Sequence, residues 1–134
     1  MPTKRTETLS IASEEDIVRV RQSTRKLALE CGFSLVDQTK MVTAASELAR
    51  NTFVFGGGGT VTIEVLQDGG RSGLRLTFED QGPGIADIEQ AMSDGYTSGG
   101  GLGLGLGGSK RLVNEFEIRS NVGEGTTVVI ARWK

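Results

Sequence analysis

Thr6 to Ile11 alternates polar and apolar residues, the two-residue period of a strand with one buried face. Ser13-Glu14-Glu15-Asp16 then supplies a Ser-x-x-acid helix start. Ile17, Val18, Val20, Leu27 and Ala28 mark an apolar helical stripe, and Gly32 stands where a C-cap glycine belongs, so a first helix is predicted over 14–31. Ser34-Leu35-Val36-Asp37 repeats the start signal. Val36, Met41, Val42, Ala45, Leu48 and Ala49 carry a second helix to about Phe53. Gly56 to Gly59 stops it and reads as a flexible connector.

Thr60 to Leu66 and Gly73 to Glu79 alternate across the turn Gln67 to Ser72, which predicts a β-hairpin. Asp80 leads into the loop Gln81-Gly82-Pro83-Gly84 and a short helical stretch near Ile88 to Met92. Within Gly99 to Gly108 seven of ten residues are glycine, too flexible for a helix interior or a strand unless something external organises them. Ser109 to Asn114 reads as helical with Leu112 and Val113 inward, and Phe116 to Asn121 and Thr126 to Trp133 as strands joined at Val122-Gly123-Glu124-Gly125. The order β-α-α-β-β-loop-α-β-β predicts a two-layer α+β sandwich: a mixed, mainly antiparallel sheet with helices on one face. A chain of 134 residues suits one domain, 1–134.

Composition narrows the chemistry. Fifteen Lys and Arg stand against seventeen Asp and Glu, with no basic block longer than a pair, so electrostatic wrapping of nucleic acid is not expected. No apolar run approaches the roughly 18 residues of a membrane span, and Met1 to Ser10 lacks the apolar core of a secretory signal, so a cytoplasmic location without membrane partners is expected. The chain has no histidine, which removes imidazole bases, His-ligated metals and phosphohistidine. Cys31, the one cysteine, reads as core filler. Glycine, 20 of 134 residues, is the positive anomaly.

Glu47 and Asn51 are four apart and share one helix face. Alone they would read as solvated, with Arg50 and Thr52 beside them as solvent or partner contacts. They accompany three more polar or glycine-rich elements, Asp80 to Gly84, Gly99 to Gly108 and Gly123 to Thr126, none of which has an obvious packing reason. Glycines let backbone N–H groups converge on an anion, and a helix beginning after Gly108 would add its positive end, so Leu104 to Gly108 is a candidate phosphate seat with Lys110 as a nearby charge. Asp80 beside a Gly-Pro-Gly loop could read the amino group of adenine. Gly103-x-Gly105-x-x-Gly108 matches the dinucleotide fingerprint formally, but it follows no predicted strand. Gly108-Ser109-Lys110 is not a P-loop.

Glu47-x-x-x-Asn51, Asp80-x-Gly82-x-Gly84, Gly101-Leu102-Gly103-Leu104-Gly105 and Gly123-x-Gly125-Thr126 resemble, in order, the N, G1, G2 and G3 boxes of the GHKL ATPases, whose nucleotide-binding fold is the Bergerat sandwich. With no dimerisation or transducer segment and no phosphoacceptor histidine, the chain most resembles the small anti-sigma and switch serine/threonine protein kinases, and among these the RsbT-type switch kinases of the stressosome. The resemblance implies ATP and Mg²⁺ as cofactors, Asn51 as the Mg²⁺ ligand, and Glu47 as general base toward a Ser or Thr of a STAS-type anti-sigma antagonist protein. Asp80 would read the adenine amino group, with Gly82, Gly84 and Thr126 framing the base. Gly101 to Gly108, with Gly101, Leu102, Gly103, Leu104 and Gly105 as nucleotide-binding residues, would close over the phosphates within a lid at about 93–108. Related kinases carry an arginine where Gly101 stands, and Lys110 or Arg111 would have to replace it. The alternatives are a nucleotide-regulated module that sequesters a sigma factor or activates a phosphatase, and a free-standing ATPase.

Overall fold

Serine caps open both long helices of the computed structural model, which describes residues 3–85, 92 and 105–134. Ser13 Oγ accepts the Asp16 N–H at 3.3 Å, a donor shared with Ser13 O at 3.1 Å, and Ser34 Oγ accepts the Asp37 N–H at 3.1 Å, so both caps engage first-turn donors. The elements are β1 (Thr3–Ile11), α1 (Glu14–Glu30), α2 (Leu35–Val54), β2 (Gly59–Asp68), β3 (Arg71–Asp80), α3 (Gly105–Lys110), β4 (Glu115–Asn121) and β5 (Gly125–Trp133). Helix α1 ends in a Schellman turn: Gly32 takes a φ of 83°, Phe33 N–H reaches Ala28 O, and Gly32 N–H reaches Leu29 O.

The strands form one sheet in the order β1-β2-β3-β5-β4, and every pairing is antiparallel. The sheet is therefore not mixed, because the connection from β3 to β4 returns the chain to the far side of β5 in the antiparallel sense. Leu9, Ile11, Val61, Ile63, Leu74, Leu76, Phe78, Val128 and Ile130 share the face covered by α1 and α2. Ile17, Val20, Leu27, Met41, Ala45 and Leu48 fill the core from the helices, and Cys31 is buried among them as expected.

Two stripe assignments are corrected. Val18 is 40% exposed and Val36 61% exposed. The stripe facing the sheet is narrower than the run of apolar residues, since α1 packs on α2 along one side and leaves its outer side to water. The β2–β3 turn is also tighter than predicted. It is the two-residue turn Gly69-Gly70, with φ of 57° and 90°, because two adjacent glycines reach the left-handed region that lets the ladder run to Asp68 and Arg71.

The opposite face of the sheet mixes polar residues with buried Leu66, Ala131 and Trp133, and on it Arg75 is held by Glu64 through two contacts of 2.9 and 3.0 Å. At one end Trp133 lies over Gly73, donates to Glu115 at 2.9 Å and carries the Arg71 guanidinium 4.8 Å from its ring centre. Among the described residues no helix is long and apolar enough to cross a membrane.

Candidate active site

Two of the sequence motifs, Asp80 to Gly84 and Gly123 to Thr126, meet at the end of the sheet where β3 stops and β5 starts. Asp80 and Thr126 are opposite one another in the β3–β5 ladder. The Asp80 carboxylate accepts the Gly82 N–H at 2.9 Å, which folds Gln81-Gly82-Pro83-Gly84 into a tight turn. That loop is tied to the β4–β5 turn by the Gly123 N–H, which donates to Pro83 O at 2.7 Å.

Glycine is required here for space as well as for turning. At Gly84 (φ 77°) a β-carbon would overlap the Asn121 carbonyl, and at Gly125 (φ 86°) it would overlap the Asp80 carbonyl. Gly56 was expected to be a mere connector; the structure corrects this. A β-carbon there would overlap the Asp80 carboxyl group, and one on Gly82 would come within 2.7 Å of the Gly56 main chain. Gly59 is equally close-packed, against the Glu79 carbonyl. Close-packed main chain thus forms a cradle around Asp80, and a carboxylate acceptor held at the end of the sheet suits the amino donor of a flat heterocycle, so the chemistry of the residues present fits adenine.

Ser120 escaped the sequence reading because a serine inside a strand pattern carries no motif. Its hydroxyl accepts the Ile85 N–H at 2.7 Å, donates to Gly125 O at 3.1 Å and lies 2.8 Å from the Thr126 hydroxyl. One side chain thus fixes the exit of the Asp80 loop, the β4–β5 turn and the Thr126 rotamer.

Glu47 and Asn51 sit one turn apart on α2, in the half of the helix nearest this cradle. Glu47 is 3% exposed, an unusual degree of burial for a carboxylate, and Asn51 is half-buried. Asn51 O accepts the N–H groups of Phe55 and Gly56, so the chain passes directly from the Asn51 turn to the glycine that backs Asp80. Thr52 is buried and donates to Leu48 O at 2.9 Å, while Arg50 reaches Glu14 at 3.4 Å; neither is the solvent or partner contact expected. Their bonds were invisible in sequence because Thr52 satisfies itself on its own helix and Glu14 is 36 residues away.

Helix α3 packs on α2. It corrects the third helix, which begins at Gly105 rather than Ser109 and gives way to a turn at 111–114. Gly105, Gly107 and Gly108 are helical despite their poor propensity, since Leu106 is buried in the core and a β-carbon on Gly107 would overlap the Met92 carbonyl. Close packing on α2 is the external organiser that a glycine run needs. Leu112 and Val113 pack against the core as predicted. Ser109 is fully buried, and Lys110 is exposed at the C-terminal end of α3. Gly101, Leu102, Gly103 and Leu104, most of the expected lid, and the stretch near Ile88 lie outside the described residues.

Residues 36–134 match the family model of histidine kinase-, DNA gyrase B- and HSP90-like ATPases. The chain is 50% identical over 123 residues to the serine/threonine-protein kinase RsbT of Bacillus subtilis, covering 92% of both chains. It is 31% identical over 133 residues to an anti-sigma F factor of Clostridium acetobutylicum, covering 92% of this chain and 88% of the relative. In fold it is similar to a crystal structure of RsbU and RsbW domains from Mycobacterium tuberculosis, with a TM-score of 0.66 and 21% identity over 96% of this chain and 32% of that one. A polar-walled glycine cradle joined by α2 to a buried carboxylate is thus built on a shared framework: the chain belongs to the histidine kinase-, gyrase B- and HSP90-like ATPases, and within them to the small serine/threonine-protein kinases of the RsbT and anti-sigma kind.

Proposed function

We propose that the chain phosphorylates a Ser or Thr of a small STAS-type regulatory protein, at the expense of ATP, in a bacterial partner-switching stress pathway in the cytoplasm. The observation that carries the reading is the burial of Glu47 one helical turn from Asn51, on the helix that continues into the Asp80 cradle. ATP, held at the Asp80 end, would supply the phosphoryl group, and Mg²⁺, held by Asn51, would neutralise part of the phosphate charge.

Asp80 accepts a hydrogen bond from the adenine amino group, and Thr126 and Gly84 frame the ring. Asn51 offers its side-chain oxygen to the metal ion. Glu47 would take the proton from the acceptor hydroxyl as that oxygen bonds to the γ-phosphorus and the bond from that phosphorus to the β–γ bridging oxygen breaks, with ADP as the leaving group; a carboxylate performs this task without histidine. Lys110 stands exposed at the end of α3, and it is the cation proposed to meet the γ-phosphate. Gly101 to Leu104 are proposed to fold over the phosphates.

Glu47→Ala tests the reading. The variant should bind a fluorescent ATP analogue within a few-fold of wild type, and phosphotransfer to a STAS partner should fall by about 10² or more. Undiminished phosphotransfer would remove Glu47 from the base role. Partner regulation that survives the loss of phosphotransfer would favour the nucleotide-regulated binding module.

A further inference from the structure

A cleft of about 430 Å³ runs between α1 and α2, lined by Val18, Arg21, Gln22 and Arg25 on one side and by Val42, Thr43 and Ser46 on the other. None of these residues belongs to the nucleotide motifs. The α1 positions fall at i, i+3, i+4 and i+7, one continuous stripe on the side of the helix turned from the sheet.

The chemistry of the cleft is uneven. Its floor is apolar, from Val42 and the exposed face of Val18. Its rim carries two exposed arginines one turn apart. Arg19 on the same helix pairs with Asp16, and Arg50 on α2 pairs with Glu14, yet Arg21 and Arg25 engage no carboxylate among the described residues. Like charges at i, i+4 repel, and the chain as a whole is net negative, so this basic pair is a local departure that nothing within the described fold neutralises.

We infer that this cleft docks an acidic segment of a protein partner: an apolar side chain seated on Val18 and Val42, with flanking carboxylates on Arg21 and Arg25. Guanidinium forks suit carboxylates in paired geometry, and an apolar floor with a charged rim is the composition of a selective protein contact rather than of a phosphate-tracking groove. Ser46 lines the cleft and Glu47 follows it on α2, so a partner anchored here lies along the helix that carries the proposed base. The inference rests on the proposed kinase reading only in taking the occupant to be a protein.

The probe is a blocked synthetic peptide with one leucine flanked by glutamates, compared with the same peptide carrying glutamines, and titrated into the full chain while amide NMR shifts are followed. The acidic peptide should move residues 18–25 and 42–46, weaken with added salt, and lose about tenfold or more in affinity against Arg21→Glu/Arg25→Glu. A fluorescent ATP analogue should bind that variant as it binds wild type, which separates failure of the cleft from failure of the nucleotide site; the milder Arg21→Gln/Arg25→Gln serves if the reversed charges impair folding. Equal binding of the glutamine peptide, or shifts confined to other surfaces, would overturn the proposal. So would a polyphosphate chain that binds the cleft more tightly than the peptide, or a concentration-dependent dimer abolished by the double variant.

Discussion

The two ends of the sheet are closed by different means. At the far end, β2 turns into β3 through Gly69-Gly70, where added β-carbons would meet nothing within 4 Å. Side chains finish that end: Trp133 covers Gly73, and Arg132 reaches inward to Leu112 O at 2.8 Å and to Asp37 at 2.7 Å. At the site end, Gly56, Gly82, Gly84 and Gly125 leave no room for a β-carbon, and main chain meets main chain around Asp80. Both hairpin turns use glycine at positive φ, yet only the β4–β5 turn also uses it for closeness. Gly69 and Gly70 serve the turn alone, while Gly73 makes room for the Trp133 side chain. Those of the site end let separate segments close up around Asp80, an approach that side chains would block.

The contrast breaks most sharply at Gly125. Gly125→Ala should cost about 2 kcal/mol or more in urea unfolding, because strain at positive φ adds to the overlap with Asp80, and ATP-analogue binding should drop by an order of magnitude. Its control, Gly69→Asn, places a residue that tolerates the left-handed region in open space and should stay within about 0.5 kcal/mol of wild type with unchanged nucleotide affinity. Similar losses in both would mean that the two turns do not differ.

Ser120→Ala should have an intermediate effect. Removing the hydroxyl leaves the Ile85 N–H and Thr126 without their partner, at about 1–2 kcal/mol, with several-fold weaker nucleotide binding at unchanged secondary structure. Unaltered affinity would show that the Thr126 rotamer does not matter to the base.

The smallest expected effect is at the far end, and it depends on pH. The hydrogen bond from Arg132 holds the Asp37 carboxyl below its ordinary value. A depressed carboxyl pKa contributes stability that is fully present above the unfolded value of about 3.9 and is lost as pH falls through the folded value. Asp37→Asn should therefore lower stability by about 1 kcal/mol at pH 7, and the gap to wild type should narrow from about pH 4 downward with nucleotide binding unaffected. A gap independent of pH would assign the loss to packing of Arg132 instead.

Local signals made most of the fold legible. Ser13 and Ser34 marked both helix starts within one residue, and alternation located every strand, because these cues act over three to seven residues. The proposed site residues Glu47, Asn51, Asp80, Gly84 and Thr126 stand out in the sequence only as a set in a fixed order. Gly56 and Ser120 did not stand out, since Asp80 lies 24 residues from Gly56 and Ile85 lies 35 from Ser120, and a glycine beside a strand looks the same whether it turns the chain or backs a carboxylate. The third helix was displaced for the same reason. Helix propensity rejected Gly105 to Gly108, and burial of Leu106 against α2 outweighed it.

By itself, then, the sequence determined the element order, the helix caps and the identity of the polar groups available for chemistry, because hydrogen-bond capacity and short-range periodicity are properties of neighbouring residues. Which glycines are turns and which are walls, that Glu47 is buried, and that Arg21 and Arg25 rim a cleft were decided by the tertiary structure. Close approach, burial and unshared charge are relations between segments far apart in the chain, and they take definite values only after the sheet and its helices have packed.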